Sequence, residues 1–264
     1  MAVSSVILGL IPVVIQQLGA TTIEIGALSL RRPLLAAVLA LGSPAVIPKR
    51  ASDYTPQSVG WNGNQRQVTT GSRVFRRRRN LWQGALHYAV YPIALASLGN
   101  LAYLCYQLGY QAVSAFAVGT TFLPMLWAFL ALLIHVAGAS ALHLRYEIRP
   151  ADPAITGKRM MDWLTSEFVY HYSDSRRIRL DTVGGMREVW FQALTWLLYT
   201  ATSVHLAFGT MVLASLLFIS IADATTILAR FIASAIVNRL ILVHEFTRIR
   251  QLGFISSVEV CRGR

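Results

Sequence analysis

The sequence predicts an all-α, polytopic membrane bundle of four to six membrane segments. Three observations carry that prediction: the bulk composition and two long gaps in the charge pattern. Of 264 residues, 55% are hydrophobic and 14% charged, against about 25% charged in an average soluble domain. Mean hydropathy is +0.50. Such a composition excludes a disordered chain, which needs low hydrophobicity, and argues against a soluble globular domain. The first gap, Asn80–Leu144, is 65 residues without Asp, Glu, Lys or Arg. As a single helix it would be roughly 98 Å long at about 1.5 Å per residue. About 20 residues cross a hydrocarbon core of about 30 Å, so the run reads as two crossings and a connector. The second gap, Val189–Ala222, is 34 residues long, too many for one straight span and barely enough for two.

In chain order, Val3–Gly19 is apolar enough to cross. A cleaved signal peptide is its competitor, opposed by the lack of a preceding Lys or Arg and by Leu18 where a small residue is wanted before Ala20. Pro33–Pro48 is short for a span. It reads as re-entrant, interfacial, or a crossing extended backwards through Arg31 and Arg32. Residues 49–79 form a basic loop whose Gly-, Ser-, Thr-, Asn- and Gln-rich stretch, Ala51–Ser72, predicts mobility. Leu81–Tyr106 is the first strong span, with Pro92 as an expected kink, and Phe122–Leu144 the second. Trp82, Tyr106, Tyr110, Trp127 and Tyr146 fall near their ends, where amphipathic rings favour the interface. Ala137–Ala141 offers small residues for close helix approach in lipid. In the loop 145–188, Lys158–Tyr172 places Met161, Leu164, Phe168 and Tyr172 at near-helical spacing, as in a short amphipathic helix. Val189–Ala222 is either a tight hairpin turning near His205–Gly209, or one span followed by a helix that continues past Asp223.

Basic residues near spans mark the cytoplasmic side. Arg31–Arg79 holds ten Lys/Arg and one acid, Arg145–Glu188 eight Lys/Arg and seven acids, and the connector Tyr106–Gly119 none. Both basic loops are therefore expected in the cytoplasm and the connector outside. The tail Arg230–Arg264 has six Lys/Arg and two acids, is expected on the same side, and favours the hairpin. The densest charge, Arg73, Arg76, Arg77, Arg78 and Arg79, abuts a span. It reads as a topology anchor that also meets lipid headgroups, each juxtamembrane cation contributing about 1 kcal/mol, and not as a nucleic-acid site.

Little in the chain points to cofactor or metal chemistry. Two cysteines, Cys105 and Cys261, make neither a disulfide framework nor a four-cysteine zinc site. The Gly-rich phosphate loop, the G-x-S-x-G elbow and H-E-x-x-H are all missing. His143 and Glu147 stand four apart and would share a helix face, but a metal needs a further ligand. No metal and no cofactor are expected. The remaining candidates are two charge pairs, Glu24 with Arg31 and Asp223 with Arg230, each seven residues apart and so within about 20° on one helical face. On the second helix a polar stripe continues through Thr226, Ser234, Asn238, Glu245 and Arg248, with Ile232, Ala235, Ile236, Arg239 and Val243 on other sides. Such a stripe should face the bundle or water, since a central membrane charge costs about 2.5–3.5 kcal/mol on insertion scales. One reading makes Glu24, Arg31, Asp223 and Arg230 a cross-paired centre for a substrate or ion; the other leaves them solvated at the interface.

The stretches Ala27–Val46 (ALSLRRPLLAAVLALGSPAV) and Phe208–Ala224 (FGTMVLASLLFISIADA) resemble a group of multi-spanning membrane proteins of filamentous fungi with no established activity. The resemblance implies a eukaryotic membrane setting and an accessory role, supplies no catalytic residues, and implies that Met1 need not begin the complete membrane domain. The leading expectation is a non-catalytic accessory or scaffold component in contact with membrane lipid, as a homo-oligomer or within a membrane complex. The alternatives are a small-molecule or ion transport unit, and an intramembrane enzyme using Asp223 or Glu24.

Overall fold

A computed structural model describes residues 2–29, 32–44, 46–47, 50–54, 76–115, 119–150, 178–182 and 185–260. Arg31, Arg73, most of the 49–79 loop and the amphipathic helix expected at Lys158–Tyr172 lie outside them. The described chain is all-α and polytopic. Its helices are α1 (Ala2–Leu18), α2 (Thr22–Ser29), α3 (Pro33–Leu41), α4 (Arg76–Tyr110), α5 (Leu123–Arg145), α6 (Met186–Ala214) and α7 (Ile221–Val260). Four are long and apolar enough to cross a membrane: α4 over Tyr88–Tyr110, α5, α6, and α7 over Ile221–Thr247. Only 33–39% of the most apolar window of each span is buried by the protein itself. Phe129, Leu133, Trp196, Val204 and Leu240 stand on the outside, so the faces they form need lipid as their solvent.

The long helices alternate in direction between two ends. At the connector end, β3 (Val113–Ser114) pairs antiparallel with β6 (Leu216–Leu217), tying the α4–α5 connector to the α6–α7 turn. Ser114 and Ser215 exchange a hydroxyl hydrogen bond there, at 3.1 Å. At the basic end, β4 (Tyr146–Pro150) pairs antiparallel with β5 (Ile178–Thr182), joining the chain that leaves α5 to the chain that enters α6. The Arg145–Glu188 ion pair, at 3.1 Å, sits at the root of this ladder. Arg76–Arg79 form the first turn of α4.

Several sequence expectations change here. The hairpin does not turn at His205–Gly209: α6 runs unbroken through it to Ala214, and the reversal falls at 215–220. The outcome is the other reading of Val189–Ala222: one span, α6, followed by a helix, α7, that continues past Asp223. Phe218 takes the left-handed conformation (φ 62) at this reversal. Trp127 is not interfacial but 1% exposed, in a core with Leu104, Leu213 and Phe231. His143 and Glu147 do not share a helix, because α5 ends at Arg145 and Glu147 belongs to β4.

The N-terminal fifty residues position the site. α1 starts at the connector end, where Gly9 meets Ala214 at the end of α6. It stops at Leu18, β1 (Ala20–Thr21) follows, and α2 carries the chain onward. α1 and α2 are thus consecutive helices separated by a break at Gly19–Thr21. α3 then turns back into the bundle. Its C-terminal Gly42 lies against the Leu98 backbone of α4, one residue from the middle of that span. The chain leaves again through β2 (Val46–Ile47), which pairs parallel with β1, and reaches Tyr54. Tyr54 packs edge-on against Phe191 near the basic end of α6 and shares a hydrogen bond with Thr22. Of the three sequence readings for Pro33–Pro48, the geometry is the re-entrant one.

Small residues let this inner unit in. A Cβ on Gly138 of α5 would come within 2.5 Å of Thr22 Cβ, and one on Gly26 of α2 within 3.2 Å of the Ala139 backbone. The close approach read from Ala137–Ala141 is therefore made within this chain, to α2. We expect Gly138→Val to push α2 off α5 and cost about 1–3 kcal/mol or more, read as a lowered thermal midpoint in detergent. Ser140→Val, on an exposed part of α5, should leave it unchanged.

Candidate functional site

Unsatisfied backbone is costly in lipid, so a broken helix and a re-entrant helix persist only where protein or water receives them. The receiving surface is one face of α7. Arg230, Ser234, Asn238 and Glu245 recur at helical spacing, spanning about 22 Å of depth at about 1.5 Å per residue. Ser234, Asn238 and Glu245 are 5%, 2% and 3% exposed, so the stripe faces inward as the sequence predicts. Its two ends do not behave as predicted. Asp223 and Thr226 are exposed, and the side chain of Arg248 is outside the described set.

Toward the connector end, the seam is an amide–guanidinium cluster. Arg230 donates from Nε and Nη2 to Asn100 Oδ1 (3.0 and 2.6 Å) and from Nη1 to Gln107 Oε1 (3.0 Å). Its Cζ lies 5.0 Å from the Tyr103 ring centroid. Asn100 in turn donates to Ser234 Oγ at 2.7 Å and to the Arg230 carbonyl at 3.3 Å. Ser97 donates to the Ser234 carbonyl at 3.4 Å.

In the middle, Asn238 Nδ2 donates to the Gly42 carbonyl at 2.7 Å and so caps the C-terminus of the re-entrant helix. The helix end leaves carbonyls without intrahelical partners, and Asn238 meets one of them. Beyond Gly42, the tip borders a cavity of about 10 Å³ lined by Pro12, Gln16, Pro44, Trp127, Thr202 and His205, about the room one water needs. His205 Nε2 is 2.9 Å from the Trp127 carbonyl and its ring stacks on the indole.

Toward the basic end stand two ion pairs. Arg32, between α2 and α3, meets Glu245 Oε1 at 2.7 Å through Nη1, with side chains 9% and 4% exposed. Tyr91 lies 5.0 Å from the Arg32 guanidinium carbon. The second pair joins Glu24 to Arg239. Glu24 is also the third residue of α2 in a capping box: it accepts from Thr21 N–H and Oγ–H at 3.0 Å, while its own N–H donates to Thr21 Oγ1 at 3.1 Å.

Of the four residues of the predicted cross-paired centre, the three that are described meet other partners. Glu24 is in the seam's flank, but its partner is Arg239, which the helical wheel puts about 100° from Asn238. Arg230 is in the seam, with amides rather than Asp223. Asp223 is spent at the exposed start of α7, accepting from Ser220 Oγ at 2.7 Å and donating its N–H back at 3.1 Å. Seven residues share a face but stand about 10 Å apart along the axis, too far for Asp223 and Arg230 to touch directly. Arg31 lies outside the described residues. Sequence reasoning missed Arg32, Asn100, Gln107 and Arg239. Cys105 is a packing residue, its thiol directed at the Pro124 carbonyl. Among the described residues no group of three or more His, Cys, Asp or Glu is placed to hold a metal ion.

No family model, curated protein or solved structure matches this chain.

Proposed function

We propose that the chain is a membrane transport unit for a small solute or ion, with the polar seam of α7 as its pathway and the α2–α3 unit as the element that opens and closes it. One observation carries this reading: non-helical backbone at Gly19–Thr21 and Gly42–Pro44 is brought inside the bundle beside a buried polar stripe. Discontinuous helices are the means by which membrane transporters expose backbone groups to a passenger near mid-bilayer. Intramembrane ionisable groups are expensive and mark such paths. The basic end, carrying Arg76–Arg79 and the loop 145–188, faces the cytoplasm in this reading.

The accessory reading keeps one specific support. A surface groove between α1 and α6, lined by Ser5, Val6, Gly9, Leu10, Thr210 and Ala214, combines small residues at its floor with exposed apolar side chains, a surface that another membrane helix could approach closely.

Purified protein in sealed proteoliposomes separates the two readings. A panel of labelled amino acids, sugars, carboxylates and inorganic anions, with dye-reported protons, sodium and potassium, should give saturable flux of at least one species. Asn238→Leu, which removes the cap from α3, should lower that flux at least tenfold while the protein still inserts. Inertness of the folded protein across the panel contradicts transport.

A further inference from the structure

Arg230 differs from the other intramembrane cations. Arg32 and Arg239 each meet a carboxylate; among the described residues Arg230 meets none, and its partners are the neutral Asn100, Gln107 and Tyr103. It is also deep. Arg230 lies four residues from the middle of the Ile221–Thr247 span, about 6 Å on the connector side at about 1.5 Å per residue, well inside a hydrocarbon half-thickness of about 15 Å. The nearest acid on its own helix, Asp223, is two turns away and engaged with Ser220.

The neighbours hold this guanidinium without neutralising it. Two side-chain carbonyls fix its plane from Nε, Nη1 and Nη2, and a phenol ring lies near its carbon. Guanidinium has five N–H donors. Three are used by Asn100 and Gln107, leaving one on each Nη without a protein acceptor among the described residues. Arg230 is half-buried, so those donors are not sealed off. A planar fork with two spare donors and a full positive charge is the geometry that takes an oxyanion, carboxylate or phosphate, in paired hydrogen bonds.

We propose that Arg230, positioned by Asn100 and Gln107, binds the anionic group of a carboxylate- or phosphate-bearing ligand in the connector-side half of the seam. The inference rests on the transport reading for its biological meaning and names the substrate class of that pathway, but the binding site stands on its own geometry. An oxyanion at this position supplies the missing counter-charge; Ser234, held by Asn100, lies one turn deeper for a passenger to meet next.

Binding is tested on purified protein in nanodiscs of neutral phosphatidylcholine. Thermal midpoints are read in sodium succinate, sodium phosphate and sodium gluconate at matched ionic strength, and separately in nanodiscs containing phosphatidylglycerol. At ten times its dissociation constant, an anion that binds only the folded protein should raise the midpoint by about 3–6 °C. The shift should vanish in Arg230→Gln and shrink in Asn100→Leu, while Arg239→Gln retains it. A soluble-anion shift dependent on Arg230 assigns a free solute; a shift seen only with phosphatidylglycerol and dependent on Arg230 assigns a lipid headgroup. Both sustain the anion site. No Arg230-dependent shift from any of these probes overturns it, as does an equal shift in Arg230→Gln. Should the shift be present while proteoliposomes show no flux, the transport reading falls and the site remains.

Discussion

Glu245→Leu is expected to cost about 3–5 kcal/mol of folding stability, the largest effect of any single substitution considered. Glu245 is 3% and Arg32 8% exposed, so the variant strands a guanidinium inside the protein without its carboxylate, beside Tyr91. Removing one partner of a buried pair leaves an uncompensated charge, with losses of about this size. The double variant Arg32→Leu/Glu245→Leu should recover most of the loss, because the same desolvation that punishes a lone charge also taxes the pair. A cycle of thermal midpoints over wild type, the two single variants and the double variant measures the coupling. Additive losses would mean that the two residues act independently.

The next largest effect is expected at Glu24. Glu24→Ala removes both halves of its work, the cap on α2 and the counter-charge for Arg239, and should cost about 2–3 kcal/mol, a lost cap alone being about 0.5–2 kcal/mol. The ion pair contributes the smaller part, since Arg239 is 38% and Glu24 23% exposed and open pairs are weak. Glu24→Gln should retain the reciprocal bond to Thr21 and lose only the charge term, about 1 kcal/mol. Because α2 begins at the break after α1, Glu24→Ala should also lower proteoliposome flux more than Glu24→Gln does. Equal stability losses for the two variants would contradict the capping role.

Why the bundle was legible is plain from the charge gaps. Lipid imposes a strict condition, that no ionisable group faces it unpaired, and the sequence obeys it over Asn80–Leu144 and Val189–Ala222. The inward direction of Ser234, Asn238 and Glu245 followed from the helical wheel for the same reason. The turn after α6 was not legible: no glycine, proline or charge lies between Thr210 and Asp223, and the reversal depends on the left-handed Phe218 and the pairing of β6 with β3. That pairing joins residues about 100 apart, beyond the reach of local pattern.

The fate of the two candidate acids is more instructive. Both sit in the pattern Ser/Thr-x-x-Asp/Glu, as Thr21-Thr22-Ile23-Glu24 and Ser220-Ile221-Ala222-Asp223, which is the signature of a capped helix start. Reading it would have placed a helix boundary at Thr22, explained Asp223 locally and predicted the break between α1 and α2. Face-sharing with an arginine seven residues on was the weaker signal, since it fixes an angle and ignores the distance along the axis. Arg32, Asn100, Gln107 and Arg239 needed the fold itself. Their importance comes from which element packs against α7, and the wheel of one helix carries no information about its neighbours.

The central claim is an arrangement of the chain about the bilayer: Tyr54 and the loops beyond α5 at one end, both short connectors at the other, and α3 entering and leaving from the first. Single cysteines in sealed vesicles test it most directly, in a background with Cys105 and Cys261 replaced. A membrane-impermeant maleimide should label Ser52→Cys and Met186→Cys from one side only, and Val113→Cys and Phe218→Cys from the other only. Labelling of Ser52→Cys and Val113→Cys from the same side would contradict the arrangement, and with it the re-entrant unit on which the seam depends.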